Sequence, residues 1–309
     1  MDSQNVADKL QFATIKLNCW GENFNEQGTG FFFAFPHPDN EHMIIPVIVT
    51  NRHLLFDTKN LTQAHSLTGR ISMLHDDAGE IEKGTDTPLF IPKSLPSLTL
   101  LHKHTDLAII AIGEILNVWT GTASINYLTP TDIPNNRDMR NINAMHDIIM
   151  VGYPQGWQDE LHNFPLFRRG ITATNPGIDF SGEGKNTFLI DATCIPGSSG
   201  SPVFSYELHT GIPTLWGPVF KPHIKLIGIQ SEGYQYDAEG EAKIINDSTG
   251  QDIPLPSTTK VFANIGVAVN ASCIMDFQVS LNVAIRDSQP IAALSPQYYE
   301  EYCKTHPDD

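Results

Sequence analysis

The hydrophobic positions of this chain come in short runs that are separated by turn-forming residues. Ile15, Leu17 and Cys19 alternate with polar neighbours, the period of two that is typical of a half-buried strand. Further apolar runs recur between Gly, Pro, Asn and Asp residues, at 31–35, 43–49, 71–74, 107–112, 148–151, 167–172, 188–190, 201–204, 226–230 and 261–269. Many short strands broken in this way predict β-barrels or β-sandwiches rather than strands alternating with helices.

A polar stretch at 124–146 divides the strand-rich chain into two parts of similar size. It contains Pro130 and Pro134 and has no sustained periodicity, which is typical of a linker. We therefore expect an N-terminal β unit at 1–125, a linker at 126–146, a second β unit at 147–285 and a C-terminal tail at 286–309.

Three segments, at 60–96, 206–222 and 234–259, are expected to form long surface loops, which in compact domains are usually functional or mobile. Near the C-terminus, Ser272 is placed to cap a short helix with one apolar face. Residues 277–283 also alternate as a strand would, so periodicity alone allows both structures there. The fold that we expect has the short C-terminal helix.

The charge balance narrows the range of partners. The 309 residues include 35 acidic and 19 basic side chains, a formal net charge of −16. Nucleic acid and anionic membranes both attract cationic surfaces, so we expect neither as a partner.

The location can also be predicted from the sequence. The apolar runs are far shorter than the ~20 residues that span a bilayer, and the first residues have neither the basic nor the apolar region of a signal peptide. The 4 cysteines are far apart and are expected to be reduced thiols, although one structural disulfide stays compatible with the sequence. We therefore expect a cytoplasmic protein.

The segment with the clearest chemistry is 194–204, with the sequence CIPGSSGSPVF. Glycines on both sides of a serine allow backbone dihedrals that turn consecutive N–H groups toward one point, where they can stabilise an oxyanion. Ser199 would present its hydroxyl beside these groups. Because serine is a weak nucleophile at neutral pH, it needs a histidine base that is oriented by a carboxylate.

Both partners occur at matching positions of other strands. The segment VTNRHL at 49–54 places His53 just after an apolar strand, and HTDLAII at 104–110 places Asp106 at the start of another. Asp106 could equally be a turn residue or a cap, since Asp is common at strand starts. The three residues therefore predict a nucleophilic site only in combination.

In this order and local context, His53, Asp106 and Ser199 resemble the triad of the chymotrypsin-fold serine peptidases. The closer likeness is to the HtrA-type and glutamyl-endopeptidase-like branch, whose trypsin-like domains show similar G-T-G-F, T-N-x-H, T-D-L-A and G-x-S-G-S-P-V-F patches. Residues 151–154 (VGYP) and 170–173 (GITA) are similar to second-barrel strands of that branch. The resemblance covers roughly 10–285 and implies an all-β fold of two six-stranded antiparallel β-barrels with the active site in the cleft between them.

The resemblance also implies a role for each residue of the site. Ser199 is similar to the nucleophile and His53 to the general base, while Asp106 is similar to the carboxylate that orients the imidazole. The N–H groups of Gly197 and Ser199 match the oxyanion hole.

Substrate-binding residues follow from the same resemblance. The strand that contains Gln230, Ser231 and Gly233 resembles the segment that pairs with the substrate backbone. Thr193 falls at the floor of the primary specificity pocket, and Gly233 and Gly266 fall on its walls. Because Thr193 is not acidic, we expect an apolar or small polar P1 side chain rather than Lys or Arg.

Some features depart from the family pattern or suggest other sites. Ser198 stands where the secreted digestive enzymes have the aspartate that binds a newly cut N-terminus, so we do not expect that mode of activation. Since few residues follow 285, we expect no PDZ module of the kind found in HtrA-type enzymes. His102 and His104 lack an evident third ligand, and residues 182–187 lack a complete phosphate-loop pattern, so we expect no metal and no cofactor.

The sequence therefore predicts a trypsin-like serine endopeptidase that is regulated and acts on a specific protein target. A general protease would be toxic in the cytosol, so we expect restraint by an activating or inhibiting protein partner, by narrow specificity or by loop ordering. The alternative is a catalytically silent peptide- or protein-binding module of the same fold. A short-chain esterase is a minor variant.

Overall fold

In a computed structural model, the chain forms an antiparallel β-sheet followed by a closed β-barrel. The structure describes residues 3–22, 24–57, 59–72, 86–91, 95–118, 125–208, 222–245 and 252–286. The strands are β1 (Thr14–Trp20), β2 (Asn25–His37), β3 (Asn40–Thr50), β4 (Phe56–Asp57), β5 (Thr62–Gln63), β6 (Ser66–Ser72), β7 (Asp86–Ile91), β8 (Thr99–Leu101), β9 (Ala108–Ala111), β10 (Asp147–Gly152), β11 (Leu166–Thr172), β12 (Thr187–Asp191), β13 (Pro202–Leu208), β14 (Pro222–Ile245) and β15 (Asp252–Asn270). The α-helices are α1 (Ser3–Ala13), α2 (Leu95–Leu98), α3 (Gly113–Val118), α4 (Asn136–Asn141) and α5 (Phe277–Arg286).

The C-terminal strands form the closed six-stranded barrel that the sequence predicts. Its order is β10-β11-β12-β15-β14-β13, and β13 closes it by pairing with β10, where Ile148 lies opposite Ser205. Apolar side chains of these strands, such as Phe188 and Ile227, fill the interior. The predicted all-β fold class with a short C-terminal helix is confirmed.

The N-terminal strands form a seven-stranded sheet in the order β7-β6-β1-β2-β3-β9-β8, with β4 and β5 paired separately. Within the described part of the chain this sheet has two edges, whereas we expected a closed barrel of six strands. The edge strands β7 and β8 are short, with 6 and 3 residues, and each pairs on one side only among the described residues. The domain boundaries stay a prediction.

One hydrophobic core joins the sheet to the barrel. It contains Phe31 and Val49 of the sheet together with Val151 and Ile229 of the barrel, all of them fully buried. The helix α5 packs on the same core through Leu281. Burial of apolar area of this kind is the main driving force that holds the two halves together.

The sequence predicted a loop at 234–259, but residues 234–245 and 252–259 form a long β-ribbon. The strands β14 and β15 continue beyond the barrel and remain paired until Ile245 lies opposite Asp252. Strands β5, β6 and β7 and helix α2 occupy parts of the predicted loop 60–96. Residues 73–85 and 92–94 of that segment, 209–221 of the predicted loop 206–222, 246–251 of the predicted loop 234–259 and 287–309 of the predicted tail lie outside the described residues.

The α-helices are short, with 4 to 11 residues. The C-terminal segment is helical, and Asn270 rather than Ser272 caps the 3₁₀ turn that leads into it, since the Asn270 side chain accepts the Ser272 N–H. None of the helices in the described ranges is long and apolar enough to cross a membrane.

Candidate active site

The loop between β12 and β13 can only be built with its two glycines. Gly197 and Gly200 have φ angles of 87° and 85°, in the left-handed region that L side chains rarely adopt. A Cβ on Gly200 would lie 1.9 Å from the carbonyl oxygen of Thr29, and a Cβ on Gly197 would lie 2.6 Å from that of Tyr153. The glycines therefore let this loop turn tightly against both halves of the molecule.

Three carbonyl groups of the loop accept hydrogen bonds from residues outside it. The carbonyl oxygen of Pro196 accepts from the Gln155 N–H at 2.6 Å, and that of Gly197 accepts from the Thr29 hydroxyl at 3.0 Å. The carbonyl oxygen of Ser199 accepts from the Thr29 N–H at 2.8 Å. The N–H groups of Gly197 and Ser199 donate to no acceptor among the described residues. They are thus available to bind an oxyanion, as the sequence predicts.

Two paired strands bring the histidine and the aspartate together. Thr50 of β3 lies opposite Ala108 of β9, so the 3₁₀ turn Arg52–Leu54 and the segment before β9 meet at one end of the sheet. His53 Nδ1 lies 2.6 Å from Asp106 Oδ2, and the backbone N–H of His53 donates to Asp106 Oδ1 at 3.0 Å. These two bonds fix the orientation of the imidazole.

Ser231 of β14 connects the serine loop to this pair. Its hydroxyl donates to Asp106 Oδ2 at 2.6 Å, and its carbonyl oxygen accepts from the Ser199 hydroxyl at 3.2 Å. Among the described residues, the hydrogen bond of the Ser199 hydroxyl therefore goes to a carbonyl group and not to the imidazole. That hydroxyl has to leave Ser231 before it can donate to His53. Catalytic hydrogen bonds often tighten only when substrate binds.

The electrostatics of the pair favour an ionised acid and a basic imidazole. Burial lowers the pKa of His53, but the hydrogen bond and charge of Asp106 and the charges of Glu26 and Glu232 outweigh burial and raise it. Burial raises the pKa of Asp106, but the hydrogen bonds and charge of His53 and the hydrogen bond from Ser231 outweigh burial and lower it. Asp106 is thus a carboxylate that stabilises imidazolium.

A cavity of about 560 Å³ opens beside the pair. His53 and Asp106 line it from the sheet, and Ser231, Glu232 and Tyr234 of β14 line it from the barrel. Its walls are of both polar and apolar character.

The structure gives the predicted substrate-binding residues different surroundings. The Gln230 side chain is buried, and its backbone exchanges hydrogen bonds with Gly200 and Ser201, so it supports the loop. Added Cβ atoms on Gly233 and Gly266 would lie 2.4 Å from the carbonyl oxygen and 2.2 Å from Sγ of Cys194, respectively. These glycines therefore let the segment before the nucleophile approach the barrel wall. Ser231 is the predicted residue that contacts both Asp106 and Ser199.

The predicted floor residue, Thr193, is exposed and its hydroxyl donates to Asn264 Oδ1 at 2.7 Å. Sequence reasoning did not identify Thr29 and Arg168, whose side chains donate hydrogen bonds to this loop. Thr29 lies in the G-T-G-F patch, which was a signal for it, whereas nothing in the local sequence singles out Arg168. Its guanidinium donates to the Thr193 carbonyl oxygen and, at 2.9 Å, to Ser198 Oγ.

The histidines that were considered as metal ligands have other contacts. His102 Nε2 lies 3.1 Å from Asp276 Oδ2, and His102 Nδ1 accepts the backbone N–H of Thr105. In the described ranges, no cluster of three or more His, Cys, Asp or Glu residues is arranged to hold a metal ion.

Comparisons with known proteins agree with these observations at the level of the family. A family model described as a trypsin-like peptidase domain matches residues 28–209. No curated protein matches the sequence.

Several solved structures are distantly similar. An HtrA-type protease, AlgW, with a tripeptide is 15% identical, with a TM-score of 0.47 over 90% of this chain and 63% of that chain. A serine endoprotease from Yersinia pestis is 13% identical, with a TM-score of 0.44 over 91% and 67% of the two chains. Tobacco etch virus protease complexed with product is 12% identical, with a TM-score of 0.45 over 89% and 80%. The chain spans less than two thirds of the length of the HtrA-type protease that it matches.

Proposed function

This chain belongs to the trypsin-like peptidase family, and from that premise we propose that it is a serine endopeptidase with His53, Asp106 and Ser199 as its triad. The observation that carries the proposal is the pair of His53 Nδ1 and Asp106 Oδ2, 2.6 Å apart, which lies beside Ser199 because Ser231 contacts both Asp106 and Ser199. An alcohol, a carboxylate and an imidazole that are far apart in the sequence thus lie close together.

The geometry supports acyl transfer. Ser199 Oγ attacks the peptide carbonyl carbon while His53 Nε2 takes the hydroxyl proton, and Asp106 stabilises the imidazolium that forms. The N–H groups of Gly197 and Ser199 bind the tetrahedral oxyanion, and such a donor typically contributes about 2.7–4 kcal/mol. The intermediate collapses as His53 returns the proton to the leaving amine. Water then attacks the acyl-enzyme by the same steps and releases the new carboxyl group.

The substrate in this proposal is a protein or peptide whose backbone pairs with β14 next to Ser231 and Gly233. Its P1 side chain is apolar or small and polar. The absence of an acidic side chain at Thr193 supports this preference, because Thr193 offers no negative charge to bind a Lys or Arg side chain. Basic residues of the substrate would instead be recruited at the exposed Glu232 of the cavity.

Regulation and location also belong to the proposal. A specific target, with restraint by a protein partner or by ordering of segments near the cleft, fits a cytoplasmic peptidase better than bulk digestion does. Cys19, Cys194 and Cys273 are free, buried thiols, which supports a reducing compartment.

A silent peptide-binding module is the second candidate, and one observation favours it. The Ser199 hydroxyl donates to Ser231 instead of the imidazole, so the nucleophile is not poised for proton transfer in this structure. Retained peptide affinity without turnover, in the presence of candidate activators, would support this candidate.

A fluorophosphonate probe tests the proposal without knowledge of the substrate. Ser199 Oγ displaces fluoride from phosphorus, so we expect labelling of the wild type, mapped to Ser199 by mass spectrometry. Ser199→Ala and His53→Ala should not be labelled. Ser205→Ala, which alters a buried serine of β13 outside the loop, should be labelled like the wild type. Equal labelling of wild type and Ser199→Ala would remove the assignment.

Cleavage-site profiling of a proteome digest would define the P1 residue. The profile counts only if the Ser199→Ala protein does not produce it.

A further inference from the structure

A half-buried arginine lies directly behind the predicted oxyanion hole. Arg168 stands on β11, opposite Met150 of β10. Its guanidinium reaches the serine loop twice, through one bond to the Thr193 carbonyl oxygen and one of 2.9 Å to Ser198 Oγ. Ser198 is fully buried between the two residues whose N–H groups form the hole.

In the described part of the chain, the Arg168 guanidinium donates its hydrogen bonds only to the serine loop. Among the described residues no carboxylate forms an ion pair with it, and Nε–H is buried without a hydrogen-bond partner. Desolvation lowers the pKa of Arg168, since burial disfavours the charged form. A cation that is partly removed from water without a neutralising acid is costly. Within the described ranges, the two hydrogen bonds to the loop are the contacts that offset this cost.

These bonds act on the backbone that carries an oxyanion donor. The N–H of Ser199 belongs to the peptide unit that starts at Ser198, so fixing the Ser198 side chain restrains the direction of that N–H. The bond to Thr193 restrains the start of the same segment. The guanidinium can hold both points at once because its donors form a rigid planar fork.

We propose that Arg168 is a positioning residue, which holds the loop 193–199 so that the N–H of Ser199 points at the developing oxyanion. The inference rests on the proposed function. In the secreted digestive enzymes, an aspartate at the position of Ser198 binds a newly cut N-terminus. Here the guanidinium of Arg168 bonds to Ser198 and stabilises the loop, so no newly cut N-terminus is needed.

The next residue of the same strand is a matched control. Arg169 points to the opposite face of β11, where its side chain is 71% exposed and pairs with Asp147 at 3.0 Å. The variants Arg168→Met and Arg169→Met therefore remove the same group from adjacent positions, one behind the loop and the other in solvent.

The test measures the rate of fluorophosphonate labelling of Ser199 at several probe concentrations. We expect Arg168→Met to reduce the limiting labelling rate by about 10- to 100-fold, the loss that a charge-assisted hydrogen bond gives when it acts on the transition state. The concentration for half-maximal rate should stay nearly constant, because probe binding does not need the oxyanion donors. Arg168→Lys should recover part of the rate, and Arg169→Met should label like the wild type.

A double-mutant cycle separates positioning from a general loss of stability. If Arg168 acts through Ser198, then Arg168→Met should cost much less in a Ser198→Ala background than alone. Thermal unfolding of each variant shows whether it folds. If Arg168→Met does not fold, the cycle is measured with Arg168→Lys and Ser198→Ala instead. Additive effects, or an Arg168→Met that labels at the wild-type rate, would overturn the inference and leave the proposed function intact. A wild type that is not labelled at Ser199 would overturn both.

Discussion

Replacing Thr29 by valine should weaken the fold and the active site together. The Thr29 hydroxyl donates to the Gly197 carbonyl oxygen at 3.0 Å and accepts the Tyr153 N–H at 3.0 Å, and both bonds are buried. It therefore connects β2 of the sheet to the serine loop and to the end of β10. Valine has nearly the same shape but can neither donate nor accept.

The size of the effect follows from these two bonds. A buried polar group that loses its partner costs about 1–3 kcal/mol, and Thr29→Val leaves two such groups, so we expect a loss of about 2–6 kcal/mol in the free energy of unfolding. With an m-value of about 3 kcal/mol/M, this corresponds to a fall of about 1–2 M in the urea midpoint. Urea titrations followed by tryptophan fluorescence measure this shift. The labelling rate at Ser199 should fall as well, because the Gly197 carbonyl group is no longer held in place.

The variant Thr29→Ser is the control for this prediction. It keeps the hydroxyl and deletes only the methyl group, so it should retain most of the stability and the labelling rate. If Thr29→Val unfolded at the wild-type urea concentration and labelled at the wild-type rate, the hydroxyl would not be the group that joins the two halves.

Three further predictions concern the same site. Asp106→Asn should lower the turnover of a peptide substrate by about 10⁴-fold, because the amide no longer holds the imidazole tautomer that accepts a proton. Since its pKa is raised, His53 must lose its proton at a higher pH than an ordinary histidine, so kcat/KM should fall on acidification from a correspondingly higher pH, and Glu232→Gln should move this limb to lower pH. Gly200→Ala should reduce stability by at least ~2 kcal/mol in chemical denaturation, because its Cβ would meet Thr29 and its φ is left-handed.

Membership in the trypsin-like peptidase family could be predicted because its signal lies in short, local patches. A glycine with a positive φ is required at Gly197 and Gly200 whatever the rest of the chain does, so the turn is visible in the sequence. His53 and Asp106 follow and precede apolar strands that pair in the sheet. Residues at strand ends can therefore be brought together by pairing that the sequence pattern already indicates.

The ribbon of β14 and β15 could not be predicted from local preference. Its outer part includes Asp237, Glu239 and Gly240, residue types that are depleted in strands, and composition therefore predicted a loop. The strands nevertheless continue because each extends a barrel strand that is already paired, from Ile229 opposite Val269 outward. The tertiary context decided this structure.

The C-terminal segment shows how burial resolves an ambiguous pattern. Phe277 and Leu281 are buried, whereas Val279 and Val283 are 70% and 48% exposed. A strand would place all four residues on one face, whereas a helix places 277 and 281 on one face and 279 and 283 on another. Phe277 and Leu281 pack together in the core between sheet and barrel, and the helix α5 brings both to this core.

The contacts that shape the active site are of a different kind, because their partners are far apart along the chain. The bond from Thr29 to Gly197 spans 168 residues, and the bond from Ser231 to Asp106 spans 125. Neither half contains both partners of either bond. A motif in the sequence can therefore supply the nucleophile, the base and the acid, but their geometry exists only when the sheet and the barrel are docked. Arg168 contacts Thr193 and Ser198 within the barrel half, but no local motif marks it, so only the structure shows its role.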